Sequence, residues 1–327
     1  MTIKTVLEAV HDAMQEEMRR DETVFVMGED IGARGGVFLA TEGFLQEFGE
    51  NRVIDTPLAE SSIAGVALGA AMHGMRPIAE IEFGDFIWPT INQIVGEAAK
   101  VRYGTKGKLN APMVLRAPHG GGVRGALYHS QSVEAFFAHT PGLKVVTPST
   151  PYDAKGLLKS AIRDDDPVIF LEHKRTYRLV RGEVPDDEYT LPIGKADLKR
   201  EGSDVTIITY GLMLHHCLEA AETVEMDDID VEVLDLRTVR PLDTDAILAT
   251  TRKTGKVLIV HEDNKALGIG AEVSAIISEN AFEYLDGPVA RLAGPEIPAM
   301  PFAPPLEDMY MIDSEKIANS IRQLAEY

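Results

Sequence analysis

The chain has 327 residues, 45% of them apolar and only 6% aromatic, enough to bury one large core or two domain-sized ones. Thirty-two basic against 52 acidic side chains leave a formal charge of −20, which repels phosphate backbones and anionic bilayers and argues against nucleic-acid or membrane partners. Cys217 is the single cysteine, so no intrachain disulfide or thiolate metal cluster can form, and the absence of an export signal or membrane-length apolar run points to a reducing, cytoplasmic setting.

Thr5 and Glu8 have capping-box spacing and Val6, Val10, Ala13, Met14 and Met18 fall on one helical face, so a helix is expected over 5–20. Strands are expected at 23–27, 52–54, 77–83, 113–116, 144–147 and 168–172, with helices between them that include 63–74, 86–102 and 152–163. This alternation is the pattern of a mostly parallel α/β sheet covered on both faces. From 173 to 200 the composition turns charged, with Pro185 and Pro192, and the stretch 176–200 reads as a linker between a first domain over 1–175 and a second over 201–327. The second domain repeats the alternation, with strands near 205–209, 231–236, 257–260 and 289–292 and helices near 213–224, 243–252, 270–280 and 314–326.

The segment Asp55-Thr56-Pro57-Leu58-Ala59-Glu60-Ser61-Ser62 places one carboxylate, Glu60, between a strand and a helix of small residues, at the mouth of a parallel sheet where such folds bind ligands. The same carboxylate also reads as a cap that compensates the helix dipole. No phosphate loop, dinucleotide fingerprint, nucleophile elbow or His-Glu-x-x-His pair is present. His119, His129 and His139 recur at equal spacing that stacks no side chains on one helical face, which argues against a metal site made of them. Gly120-Gly121-Gly122-Val123-Arg124-Gly125 and Gly268-Ile269-Gly270 can each cradle an anion or simply let the chain turn.

Taken together, Gly28-Glu29-Asp30-Ile31-Gly32, Asp55 to Glu60, Ala79-Glu80-Ile81-Glu82-Phe83, Tyr128-His129-Ser130-Gln131-Ser132, Pro141 to Val146 and Asp153 to Leu158 resemble the beta subunits of thiamine-diphosphate-dependent 2-oxo acid dehydrogenases. Leu171 to Arg178, Asp235-Leu236-Arg237-Thr238 and Ala293 to Pro301 look most like the branched-chain members, with pyruvate-specific ones slightly more distant. The resemblance implies a transketolase-like pyrimidine-binding domain followed by a smaller α/β C-terminal domain. It also implies that Glu60 hydrogen-bonds the aminopyrimidine ring nitrogen of the cofactor, for which a charge-assisted acceptor in a dry site is suited. Phe86 matches the aromatic that stacks on that ring, or is an ordinary core phenylalanine. Leu58 matches a position that touches cofactor or substrate, and His129 the histidine that assists acyl transfer to a lipoyl group, a task suited to an imidazole. Glu82 falls at a further cofactor-binding position of the pattern but departs from it, since relatives often carry glutamine there.

The same resemblance implies a structural potassium ion on the backbone oxygens of Ala111, Met113, Val114 and Ala161 with Asp164 and Asp166, oxygen donors that fit a hard cation, although a polar loop after a helix reads equally well. The Gly-Asp-Gly motif that holds magnesium and the cofactor's diphosphate is missing; the nearest string is Gly84-Asp85-Phe86. An alpha subunit is therefore implied to supply it, in an α2β2 heterotetramer with the cofactor at the subunit boundary. A dihydrolipoyl acyltransferase core, with its lipoyl domain and its basic docking domain, is the further partner, and Asp286 and the terminal carboxylate of Tyr327 are the docking candidates. The competing readings are a pyruvate or acetoin dehydrogenase beta subunit and a non-catalytic assembly subunit. A bacterial cytoplasmic location is expected, with a processed mitochondrial form as the alternative.

Overall fold

The structure, a computed structural model, describes residues 1–327 and divides into two compact units, one of residues 1–119 with 136–193 and one of 120–135 with 194–327. In the first unit the helix Val6–Arg20 starts on the expected capping box: the Glu8 N–H donates to Thr5 Oγ1 at 3.1 Å and the Thr5 N–H donates to the Glu8 carboxylate at 2.7 Å. Its apolar face, Val6, Ala9, Val10, Ala13, Met14 and Met18, is buried and packs on the helix Pro151–Arg163. Six strands of this unit lie side by side in the order Lys144–Val146, Val168–His173, Val114–His119, Arg76–Glu80, Val24–Gly28 and Val53–Asp55, all parallel. The four inner ones are buried almost throughout, as parallel strands covered on both faces are.

The middle of this sheet contains a buried ionic group. The Arg116 guanidinium donates to both oxygens of Glu172 at 2.7 Å and to Glu80 at 2.6 Å, and the Tyr177 hydroxyl donates to Glu172. Burial opposes the charge on Arg116, but Glu172 and Glu80 outweigh it and hold the guanidinium firmly protonated. Two carboxylates to one cation leave the group acidic, and Glu80 is raised, by burial first, with Glu172 adding and Arg116 opposing.

Two segments differ from the expectation. The single helix expected over 86–102 is broken into 3₁₀ turns at Gly84–Phe86 and Trp88–Thr90, a π-helix Asn92–Ala98 and an α-helix Ala99–Gly104. Pro89 near the start of the second turn offers no N–H and prevents a continuous ladder there. In 176–200, the charged stretch forms a helical turn Thr176–Leu179 and a strand Arg181–Val184 that pairs antiparallel with Thr2–Thr5, Thr2 opposite Val184.

The second unit has a five-stranded sheet ordered Ala290–Gly294, Val257–Asn264, Val205–Thr209, Val231–Asp235 and Asp197–Arg200, parallel except for the last strand. The helices Met213–Val224 and Ser314–Ala325 pack on one another over a core of Val205, Ile207, Val233, Leu258 and Val260. Asp313 caps the last helix, its carboxylate accepting the Lys316 N–H at 2.8 Å. No helix of the chain is long and apolar enough to cross a membrane.

Candidate active site

Strands Val24–Gly28, Val53–Asp55 and Arg76–Glu80 end level, Gly28 in register with Asp55 on one side and Glu80 on the other. Carboxyl ends of parallel strands are where open α/β sheets present ligand sites. Glu29 and Asp30 follow the first strand, Glu60 the second and Glu82 the third, so three chain segments bring four carboxylates to one edge. Backbone contacts tie these exits together: the Thr56 N–H donates to Gly28 O at 2.9 Å, and the Gly32 N–H to the Asp55 carboxylate at 2.6 Å. Glycine is required at 28 by proximity alone, because a Cβ there would stand 2.7 Å from the Glu80 carbonyl oxygen.

The electrostatics of this edge are unusual. Burial, then Glu82, Glu60 and Asp30, push the Glu29 carboxyl up to about 7. Glu82 is raised too, by burial first and then by Asp30 and Glu80, an effect partly offset by Arg34, whose guanidinium pairs with Asp30 at 2.6 Å. Glu60 is half-buried and is the first residue of the helix Glu60–Met72, whose N-cap, Ala59, has no side chain to satisfy the helix terminus. Such an edge, rich in acid and poor in base, suits a cation or a protonated heterocycle.

An aromatic cluster belongs to the same unit. Phe86, half-buried, meets Phe83 edge-on with ring centres 5.5 Å apart; Phe83 meets Phe38 at 5.5 Å, and Phe38 meets Tyr177 at 5.2 Å. The Lys174 ammonium stands 5.8 Å over the Phe83 ring. Leu58, two residues before Glu60, is 78% exposed.

Of the cation candidates, Asp164 and Asp166 are already engaged. The Asp164 carboxylate accepts from the Lys144 ammonium at 2.5 Å and from the Asp166 N–H at 2.9 Å, and Asp166 pairs with Arg102. The Ala161 carbonyl accepts the Asp164 N–H at 3.3 Å and the Met113 carbonyl the Val168 N–H at 3.0 Å, each keeping a second lone pair. Ala111 and Val114 flank Met113 at the start of the strand Val114–His119.

The other candidates lie in the second unit. His129 is half-buried, just after the 3₁₀ turn Ala126–Tyr128. Asp286 is exposed, its N–H donating to Gly255 O at 2.9 Å, and a Cβ at the neighbouring Gly287 would lie 3.2 Å from the Tyr327 side chain, so the two docking candidates share one end of that unit. Sequence reasoning gave Glu29 and Asp30 no role. The signal was present, since acidic residues directly after a buried apolar strand lie at its carboxyl end.

Comparison with known proteins identifies the fold and the family. Residues 4–180 match the family model for the transketolase pyrimidine binding domain, and residues 194–317 that for the transketolase C-terminal domain. A solved structure described as a split gene transketolase, inactive beta4 tetramer, superposes with a TM-score of 0.81 over 98% of each chain at 22% identity, a likeness of fold. The 2-oxoisovalerate dehydrogenase subunit beta of Bacillus subtilis (strain 168) is 61% identical over 100% of both chains, and the pyruvate dehydrogenase E1 component subunit beta of the same organism 49% over 100% of both. With both transketolase domains matched in order and the higher identity on the 2-oxoisovalerate side, the chain belongs to the transketolase-like beta subunits of the 2-oxo acid dehydrogenases, in their branched-chain branch.

Proposed function

We propose that this chain supplies the pyrimidine-side half of an active site that decarboxylates branched-chain 2-oxo acids and passes the acyl group to a lipoyl arm. The observation that carries the reading is the acidic edge around Glu60, joined to 61% identity over the full length of a 2-oxoisovalerate dehydrogenase subunit. Thiamine diphosphate, the cofactor of this family, supplies an electron sink for the carbanion left by decarboxylation. The residues present fit it: a carboxylate at a helix N-terminus for a protonated ring nitrogen, and the half-buried Phe86 ring for its face.

Glu60, the first residue of its helix, would accept a hydrogen bond from the ring and hold a proton at that nitrogen. Glu29, near neutrality, and Glu82, raised, keep protons more readily than ordinary carboxyls, which spares an anionic 2-oxo acid part of the repulsion four full charges would exert. Leu58 and Phe86 exclude water and fix the ring plane. His129 gives or takes a proton as the acyl group moves to the lipoyl sulfur.

The rest of the reading concerns partners. An alpha subunit brings the diphosphate and magnesium site in an α2β2 assembly, and the acyltransferase core docks near Asp286 and Tyr327. A potassium ion at the 111–166 site would rest on the carbonyls of Ala111, Met113, Val114 and Ala161, because Lys144 and Arg102 occupy the acidic side chains. The bacterial cytoplasm is the compartment that goes with this reading.

The test is Glu60→Gln in the enzyme reconstituted with its alpha chain. Decarboxylation of 3-methyl-2-oxobutanoate should fall by about 100-fold or more, as when a charged catalytic contact is lost. Full activity in that variant would sink the role of Glu60, and a preference for pyruvate over the branched substrate would move the chain to the pyruvate branch.

A further inference from the structure

The segment that carries His129 is built on buried carboxylates of its own unit. Its φ angles are left-handed at Gly120 (+83°), Gly122 (+74°), Arg124 (+61°) and Ala126 (+56°), the last two being residues that resist this conformation. Alternation of this kind turns successive N–H groups inward, the arrangement that elsewhere cradles an anion. Here the anion is a side chain. Glu307, fully buried in the helix Pro304–Tyr310, accepts the Gly122 N–H at 3.0 Å and the Arg124 N–H at 3.2 Å on one oxygen, and the Arg124 guanidinium at 2.7 Å on the other. Arg124 also reaches Pro304 O at 2.9 Å and Asp308 at 2.7 Å.

A second carboxylate holds the neighbouring residue. Glu262, on the strand Val257–Asn264, accepts the Gly121 N–H at 2.6 Å and the Ser132 hydroxyl at 3.3 Å. The loop is closed across its neck by the Gly120 N–H, which donates to Gln131 O at 3.0 Å, and at its exit Tyr210 donates to the Glu134 carboxyl at 2.9 Å. The fit leaves no slack: a Cβ on Gly121 would collide with Met300, and one on Gly125 would lie 2.7 Å from the His129 carbonyl oxygen.

We infer that Glu307 and Glu262 are positioning residues that hold the 120–131 loop, and through it His129, in its working shape. The step from loop to chemistry rests on the role proposed for His129; the step from carboxylate to loop does not. Glu307 fills with its own charge a backbone cradle that would otherwise be a set of unsatisfied N–H groups, and it anchors the left-handed residues that would relax without it. Neither carboxylate is assigned contact with substrate, so both act on the reaction by geometry.

Two measurements separate the two steps. Trypsin cleavage after Arg124 in the full-length chain reads the loop alone: Glu307→Ala should cut about tenfold faster than the parent, and Glu307→Gln, which keeps an acceptor oxygen for the two N–H groups, should fall between them. Unchanged cleavage in both variants overturns the inference. In the enzyme reconstituted with its alpha chain, Glu307→Ala should lower transfer of the acyl group to a lipoyl domain about tenfold or more, while decarboxylation read with a dye oxidant stays within about twofold. Equal loss of both partial reactions means general destabilisation and also overturns the inference. His129→Ala is the control for the underlying reading: if it transfers acyl groups normally, the role of His129 fails whatever the loop does.

Discussion

At the scale of single residues, the Glu29 carboxyl gathers the charge crowding of the acidic edge in one group. Its proton is held up to about 7 from an ordinary 4.5, by burial and by the charges of Glu82, Glu60 and Asp30. A carboxyl raised on folding binds its proton more tightly in the native state, so its contribution to stability is present below about pH 4.5 and is lost as the pH climbs to about 7. Replacing it by glutamine removes that loss. Glu29→Gln should therefore raise Tm above that of the parent at pH 8, and the gain should shrink steadily toward pH 5. Melting curves across that range decide it, and a Tm difference independent of pH would show that Glu29 is an ordinary surface acid. A cationic ring bound at the edge should pull the Glu29 proton off at lower pH, because an opposite charge favours the ionised carboxylate.

At the scale of elements, the central sheet is held by charge as well as by apolar packing. Arg116 is the cation between Glu80 and Glu172, all three buried. Removing it while the acids remain leaves buried negative charge without a partner, and Arg116→Met should cost about 3–5 kcal/mol in urea unfolding. A cost below about 1 kcal/mol would mean that water or protonation satisfies the acids instead. The first helix offers a milder test: Thr5→Ala removes the hydroxyl that accepts the Glu8 N–H, leaves the Thr5 N–H bonded to the Glu8 carboxylate, and should cost about 1 kcal/mol. These elements were legible in the sequence because Thr5, Glu8 and the apolar row from Val6 to Met18 obey local rules, and the parallel strands announce themselves as short Val- and Ile-rich runs. What could not be read depends on distant partners. Arg181–Val184 looks like linker by composition, yet backbone pairing with Thr2–Thr5 needs no apolar side chain. Glu60 was visible by its setting, whereas Glu307, beside Asp308 and two prolines, reads as solvent-facing until the left-handed loop that it satisfies is known.

At the scale of the molecule, the charge of −20 is the property that no single element explains. Acidic surplus speeds association with a basic partner and makes it sensitive to salt, while adding less to affinity than to encounter rate. If the docking domain of the acyltransferase core is that partner, the association rate should fall about tenfold as salt rises from about 50 to 300 mM, with a smaller change in dissociation. The end of the second unit that carries Asp286 and, beside Gly287, Tyr327 is the place to perturb it, both residues being exposed and remote in sequence from every residue assigned to the reaction. Asp286→Lys should weaken binding by about tenfold at low salt, and the difference from the parent should close as salt screens it. Decarboxylation by the variant, assayed with free lipoyl domain, should be unchanged. A loss of binding that persists undiminished at high salt would mean that Asp286 contributes by shape rather than by charge, and no loss at all would place the docking surface on another part of this acidic chain.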